Sequence, residues 1–249
     1  NCSAHDWMLF FTEKGRMYFK MAYEIPESAR DSRGKALVNL LDIQGSEKIA
    51  AIIPVRGFDT DKHLFFATER GIVKKTPLAA YQNVRAAGII AMNIAEDDRL
   101  IGVELTSGQD DLLLVTRKGK ALRFHEKLVR PTGRTTMGVS GITLRGSDRV
   151  AALEVAEPDG YLFVLTEKGQ GKRTPLEEYI PKTRGTLGVA TINQDARAAI
   201  GEVAEACVVL AGEEVTMISR GGIVLRTKVD EISIQGRSTQ GVKIMDLGE

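Results

Sequence analysis

TERGIVKKTPLAAY occupies residues 68–81, and TEKGQGKRTPLEEY occupies residues 166–179, ninety-eight positions later. A turn alone would repeat only Thr68 to Gly71, and a core alone would repeat only the apolar positions. The return of Lys74-Lys75 as Lys172-Arg173 asks for something negatively charged as well. With Gly71 as an anchor, matching segments stand at 12–15, 116–119, 166–169 and 219–222. The anchor glycines Gly15, Gly71, Gly119, Gly169 and Gly222 are spaced by 56, 48, 50 and 53 residues. Each follows an apolar run, such as Leu64-Phe65-Phe66-Ala67, and precedes a shorter, partly basic one. That pattern predicts a hairpin whose tight turn uses a glycine at positive φ.

A second glycine recurs after each anchor: Gly34, Gly88, Gly138, Gly188 and Gly241, at 19, 17, 19, 19 and 19 residues. A β-rich stretch follows it, such as Val38-Asn39-Leu40-Leu41 or Val189-Ala190-Thr191-Ile192, and then a polar turn and another apolar strand. Four strands in about fifty residues, repeated, predict an all-β, toroidal fold of propeller blades. The repeats run over about 6–62, 63–110, 111–160, 161–212 and 213–249, in one domain spanning 1–249.

Composition narrows the function. The 249 residues are 43% hydrophobic, enough for a packed core. Two cysteines, Cys2 and Cys207, form neither a disulfide framework nor a zinc motif, which fits a reducing, cytoplasmic setting. No apolar run has membrane-span length, so no membrane partner is expected. The sequence starts at Asn1 and stops in mid-pattern, as expected of a fragment of a longer protein.

The net charge of +1 hides a division. Five windows, each from three residues before an anchor glycine to one after the second glycine, hold 118 residues with 26 of the 34 Lys and Arg and 11 of the 33 Asp and Glu. The other 131 residues hold 8 basic and 22 acidic side chains, so the two sets carry +15 and −14. A solvated propeller surface would intersperse its signs. Equivalent positions of a radial repeat fall on one track, so the windows predict a continuous basic band on the outer rim, suited to a curved polyanion such as duplex DNA. The fourth position after the anchor is Phe19, Lys75, Arg123, Arg173 and Arg226, basic in four of five repeats. Edge protection by a solvated lysine is the plainer account of any one of them. Aromatic content of 6% offers no stacking platform for single strands.

Several segments together resemble the C-terminal domain of the DNA gyrase A protein (type IIA topoisomerase) over essentially the whole chain. They are Gly71-Ile72-Val73-Lys74-Lys75-Thr76, Gly102-Val103-Glu104-Leu105-Thr106-Ser107-Gly108, Gly171-Lys172-Arg173-Thr174 and Glu231-Ile232-Ser233-Ile234-Gln235-Gly236-Arg237-Ser238-Thr239-Gln240-Gly241-Val242. The resemblance implies a six-bladed β-pinwheel disc in which neighbouring blades exchange a strand. It implies a rim that bends DNA in support of negative supercoiling, with the rest of gyrase A and gyrase B as partners. ATP and magnesium would act on other domains, so no cofactor is expected here. The family's heptapeptide, Q-[KR]-R-G-G-[KR]-G, is absent, which suggests blades two to six with the last lacking its closing strand. Echoes of it at 28–34, 132–138, 182–188 and 235–241 keep Arg30, Arg134, Arg184 and Arg237 at the third position and Gly at the seventh. The shorter second repeat offers Arg85 instead.

Arginine presents a planar fork to phosphate, and glycine permits close backbone approach. The candidate DNA-binding residues are therefore Arg16, Lys20, Arg30, Arg33, Lys35, Lys74, Lys75, Arg85, Lys120, Arg123, Arg130, Arg134, Lys172, Arg173, Lys182, Arg184, Arg226, Lys228 and Arg237. No catalytic or metal residue is expected. His5, His63 and His125 are scattered, and the segment from Gly169 to Thr174 lacks phosphate-loop spacing. The doublets Asp97-Asp98, Asp110-Asp111 and Glu177-Glu178 fit turns, and one Trp is poor provision for a glycosidase. The corresponding domain of topoisomerase IV and a kelch-type protein-interaction propeller are the alternatives.

Overall fold

The computed structural model describes residues 2–27, 36–43, 47–59, 61–83 and 87–247. The first repeat supplies β1 (Trp7–Thr12), β2 (Arg16–Met21) and β3 (Ile49–Val55). The second supplies β4 (His63–Thr68), β5 (Ile72–Pro77), β6 (Ile89–Ile90) and β7 (Leu100–Thr106). The third gives β8 (Asp111–Thr116), β9 (Lys120–His125), β10 (Val139–Ser140) and β11 (Val150–Val155). The fourth gives β12 (Tyr161–Thr166), β13 (Gln170–Pro175), β14 (Val189–Ala190) and β15 (Val203–Val209), and the fifth β16 (Glu214–Ile218), β17 (Val224–Lys228) and β18 (Val242–Lys243). Helical segments among the described residues are three or four residues long, so the all-β expectation stands.

The turn chemistry is the same five times and explains the T-x-x-G pattern. The Oγ1 of Thr12, Thr68, Thr116 and Thr166, and the Oγ of Ser219, accept the amide of the residue four places on, at 3.0–3.2 Å. The anchor glycine donates its N–H back to the carbonyl of the same Thr or Ser and sits at φ between 78° and 84°. A side chain at that φ would be strained, which fixes glycine at the fourth position.

The four larger sheets have the orders β3-β1-β2-β6, β10-β5-β4-β7, β11-β8-β9-β14 and β15-β12-β13-β18. Each hairpin thus receives its outermost strand from the repeat that follows it in sequence. The β-rich stretch after each second glycine is that donated strand. The exception is the first repeat, where Leu37–Asn39 form a 3₁₀ turn instead of the expected strand.

The second glycine makes the exchange possible. A Cβ on Gly188 would lie 2.5 Å from the Ala121 carbonyl oxygen of the receiving strand, and one on Gly138 would lie 2.4 Å from that of Val73. The glycine brings two backbones together within the fold, so its close approach is to the neighbouring sheet.

Contact density divides the chain into two compact units, Asn1–Gly108 with Val129–Val139, and Gln109–Leu128 with Ser140–Glu249. In the first, alternation along β1 sends Leu9 and Phe11 into a core with Leu64, Phe66, Tyr81 and Val103, while Phe10 joins Tyr18 and Leu41. Phe11 meets Phe66 edge-on at 5.6 Å. In the second, Leu113, Val115, Leu162, Val164, Tyr179 and Val203 form one core, and Phe163, Met217, Val229 and Met245 form another.

Candidate nucleic-acid interface

Arg134, Arg184 and Arg237 each stand four residues before the second glycine of their repeat. Their loops share one internal bond that the sequence had not suggested. Thr136 Oγ1 donates to the Gly133 carbonyl at 2.9 Å, Thr186 Oγ1 to Thr183 at 3.1 Å, and Thr239 Oγ1 to Gly236 at 2.9 Å. In each case a Thr two residues before the glycine ties down the residue before the arginine. The signal was present as the recurrence of Thr136, Thr186 and Thr239 at one offset. The result is a pre-ordered turn with a half-exposed arginine.

The basic pairs shared by the two long repeated segments do not lie on an exposed band. Lys74, Lys75, Lys172 and Arg173 are 1%, 4%, 1% and 6% exposed, which corrects the expectation that they face phosphate. The incoming loop of the next repeat packs over their strand, and the charges of Lys74, Lys172 and Arg173 find partners on it. Lys74 Nζ donates to the Ala91 carbonyl at 2.6 Å and to the Arg134 carbonyl, and lies 5.3 Å from the centre of the Phe66 ring. The Lys75 carbonyl accepts the Thr132 amide at 2.8 Å. Lys172 Nζ donates to the Gly236 and Arg237 carbonyls at 2.6 and 2.7 Å and to Thr239 Oγ1 at 2.9 Å. Arg173 donates from Nε to the Ile232 carbonyl at 2.9 Å, pairs with Asp230 at 3.3 Å and stacks 4.7 Å from the Tyr161 ring. Burial lowers the Lys74 pKa to about 7, assisted by the Arg134 charge. Burial likewise lowers Lys172 to about 8; Glu178 opposes the shift and Arg237 adds to it.

The remaining candidates differ in how free they are. Arg130, Lys182 and Lys228 are exposed, and Lys120 is half-buried. Arg16 donates to the Ala87 carbonyl at 2.7 Å, and Lys20 pairs with Glu24 at 3.7 Å. Arg123 is held by Asp111 at 2.9 Å and by the Leu176 carbonyl at 3.1 Å, so it ties its own hairpin to the fourth repeat. Arg226 pairs with Glu214, and Arg237 approaches Glu178 at 3.8 Å. Arg184 spends two donors on the Leu128 and Ser140 carbonyls, at 2.9 and 2.8 Å. Arg30, Arg33, Lys35 and Arg85 lie outside the described residues.

Aspartates of the capping loops have structural work. Asp98 Oδ1 accepts the Arg70 and Arg99 amides at 3.0 and 2.8 Å, and Asp148 Oδ1 accepts those of Lys118 and Arg149 at the same distances. Among the described residues no cluster of His, Cys, Asp and Glu could hold a metal ion.

Strand-exchanging four-stranded sheets, with a tied arginine turn in the exchange segment, define an all-β protein of the propeller class. The chain matches the family described as "DNA gyrase C-terminal domain, beta-propeller" over residues 6–56, 62–107, 110–157, 160–200 and 213–249, and it belongs to that family. The five matched segments follow the five repeats. The chain is 43% identical over 247 residues to the DNA gyrase A protein of Salmonella typhimurium, covering 99% of this chain and 28% of that protein. It is 44% identical over 243 residues to the gyrase A protein of Clostridium acetobutylicum, covering 98% and 29%. The chain thus spans under a third of the length of either relative. The solved C-terminal domain of a DNA topoisomerase IV superimposes with a TM-score of 0.88 at 28% identity, over 98% of this chain and 76% of that one. A DNA gyrase A C-terminal domain superimposes at 0.86 and 24% identity, over 99% and 80%, a likeness of fold.

Proposed function

We propose that this chain binds duplex DNA through its phosphate backbone, without reading bases, on the turns that carry Arg134, Arg184 and Arg237. The observation that carries this is the threefold recurrence of one internally bonded turn holding an arginine at one place. A pre-ordered turn presents a guanidinium with little ordering cost, and backbone contacts position a duplex without specifying sequence. The exposed Arg130 adds charge beside Arg134 in the first unit, and the exposed Lys182 and Lys228 add charge in the second. In the parent protein this binding bends the duplex in support of negative supercoiling, alongside the rest of gyrase A and gyrase B. The ATP and magnesium chemistry would belong to domains beyond this chain. Identities of 43–44% to gyrase A proteins favour this context over the topoisomerase IV alternative.

Anisotropy titration of two unrelated 30-base-pair duplexes across a salt series tests the proposal. If Arg130, Arg134, Lys182, Arg184, Lys228 and Arg237 all engage, log K falls with log salt at a slope of about −5, at roughly −0.9 per contact, equally for both duplexes. A slope near zero, or strong preference for one duplex, would refute it.

A further inference from the structure

Two buried lysines sit beneath two of the three arginine turns, and phosphate binding gives them a role beyond holding the loop. Lys74 binds the carbonyl of Arg134 itself, and Lys172 that of Arg237 itself. In the third repeat the equivalent position is Leu122, and there Arg184 anchors its own loop by its guanidinium. The molecule therefore contains two latched turns and one unlatched turn on the same plan.

We propose that Lys74 and Lys172 are positioning residues whose ammonium groups hold the Arg134 and Arg237 turns, and that duplex binding on those turns is coupled to proton uptake by these lysines. The inference rests on the DNA-binding role proposed above. Lys172 has three oxygen acceptors, which only the protonated amine, with three N–H groups, satisfies completely. The charges facing each amine set the direction. Lys74 meets Arg134 from the loop, the Tyr81 hydroxyl shares the Ala91 carbonyl with it, and Lys75 adjoins it on its strand. Lys172 meets Arg237 from the loop and Glu178 from the 3₁₀ turn, where Tyr179 is its neighbour, with Arg173 beside it and Asp230 paired to Arg173.

Without DNA, burial and the neighbouring guanidinium disfavour the proton, and the pKa values fall to about 7 and 8. A phosphate on Arg134 or Arg237 cancels the opposing charge within a screening length and favours the proton. Bound chain therefore holds more protons than free chain, and affinity falls as pH rises through the free pKa values. A one-unit rise on binding corresponds, between pH 6 and 9, to about an eightfold loss of affinity for Lys74 and about a fivefold loss for Lys172.

Calorimetry of a 30-base-pair duplex at pH 7.5, in buffers of different ionisation enthalpy, reads the uptake directly. The expected result is net uptake by the natural sequence, and loss of most of that uptake per duplex bound in Lys74→Arg/Lys172→Arg, because arginine keeps the charge without titrating. NMR titration of the lysine side chains with and without duplex needs no variant, and two lysines should show pKa values raised on binding. Normal affinity with no uptake, or uptake unchanged in the arginine variant, overturns the latch while leaving DNA binding intact. Failure of every form to bind at low salt overturns the DNA-binding role instead.

Discussion

Replacing Gly188 by alanine should destabilise the second unit far more than the same change at Gly212 or Gly221, and these three positions separate the causes. Gly221 lies outside the left-handed region, and its added methyl would be 3.7 Å from the nearest side-chain atom. Gly221→Ala should therefore be neutral or stabilising by about 0.5 kcal/mol, through a less flexible unfolded chain. Gly212 has φ +81° and open space around it. Backbone strain of about 1–2 kcal/mol, less that same gain, leaves roughly 0.5–1.5 kcal/mol of destabilisation. Gly188, at φ +69°, adds a methyl 2.5 Å from the Ala121 carbonyl oxygen, which only movement of β9 or β14 can relieve. Overpacking of that kind costs about 1–3 kcal/mol more, for a total near 3. With a urea m-value of about 2 kcal/mol/M, the midpoint should fall by about 1.5 M for Gly188→Ala and by less than about 0.8 M for Gly212→Ala. Equal shifts for the two would mean that the exchange seam is not held by close backbone contact.

Changing Arg134, Arg184 and Arg237 together to Gln should reduce the magnitude of the salt slope of duplex binding by about 2.7, three contacts at roughly 0.9 each. Changing Arg70, Arg99 and Arg149, which bind Asp97 at 2.6 Å, Glu69 at 2.8 Å and the Asp148 carbonyl at 2.8 Å, should leave the slope unchanged. Burial raises the Glu154 pKa to about 7, with the Val208 amide opposing and Glu205 reinforcing the shift. The folded chain therefore holds that proton where the unfolded chain releases it, and stability is lost as pH rises from about 4.5 to 7. Glu154→Gln should match the natural sequence below about pH 4.5 and exceed it by on the order of 1–3 kcal/mol at pH 8, measured by urea unfolding. Burial pushes the Cys207 thiol up to about 12, whereas Cys2 is exposed. Iodoacetamide at pH 8 should label Cys2 alone, as read by mass spectrometry of the digested chain.

The hairpins were legible in the sequence because their cause is local: Thr166 Oγ1 and the Gln170 amide are four residues apart. The second glycine was legible as a landmark but not in its role, since Gly188 answers to Ala121, far back in the chain. The basic pairs were misplaced for the same reason. Alternation along a strand says which side chains share a face, but not what covers that face. Lys172 is covered by a loop more than sixty residues later, and Lys74 by one sixty residues later. Recurrence at a fixed offset did mark the shared turn around Arg134, Arg184 and Arg237, because a turn of seven residues carries its own geometry.

Strand exchange also sets a schedule for the nascent chain. The first hairpin ends at Met21, but the strand that completes its sheet ends at Ile90, 69 residues later. At synthesis rates of roughly 5–20 residues per second, β2 waits about 3–14 s on the ribosome with an unpaired edge. Each later hairpin repeats that wait while the next repeat emerges. Folding is thereby tied to translation order, and a slow codon placed between a hairpin and its donor lengthens the interval in which two growing chains could pair with each other instead.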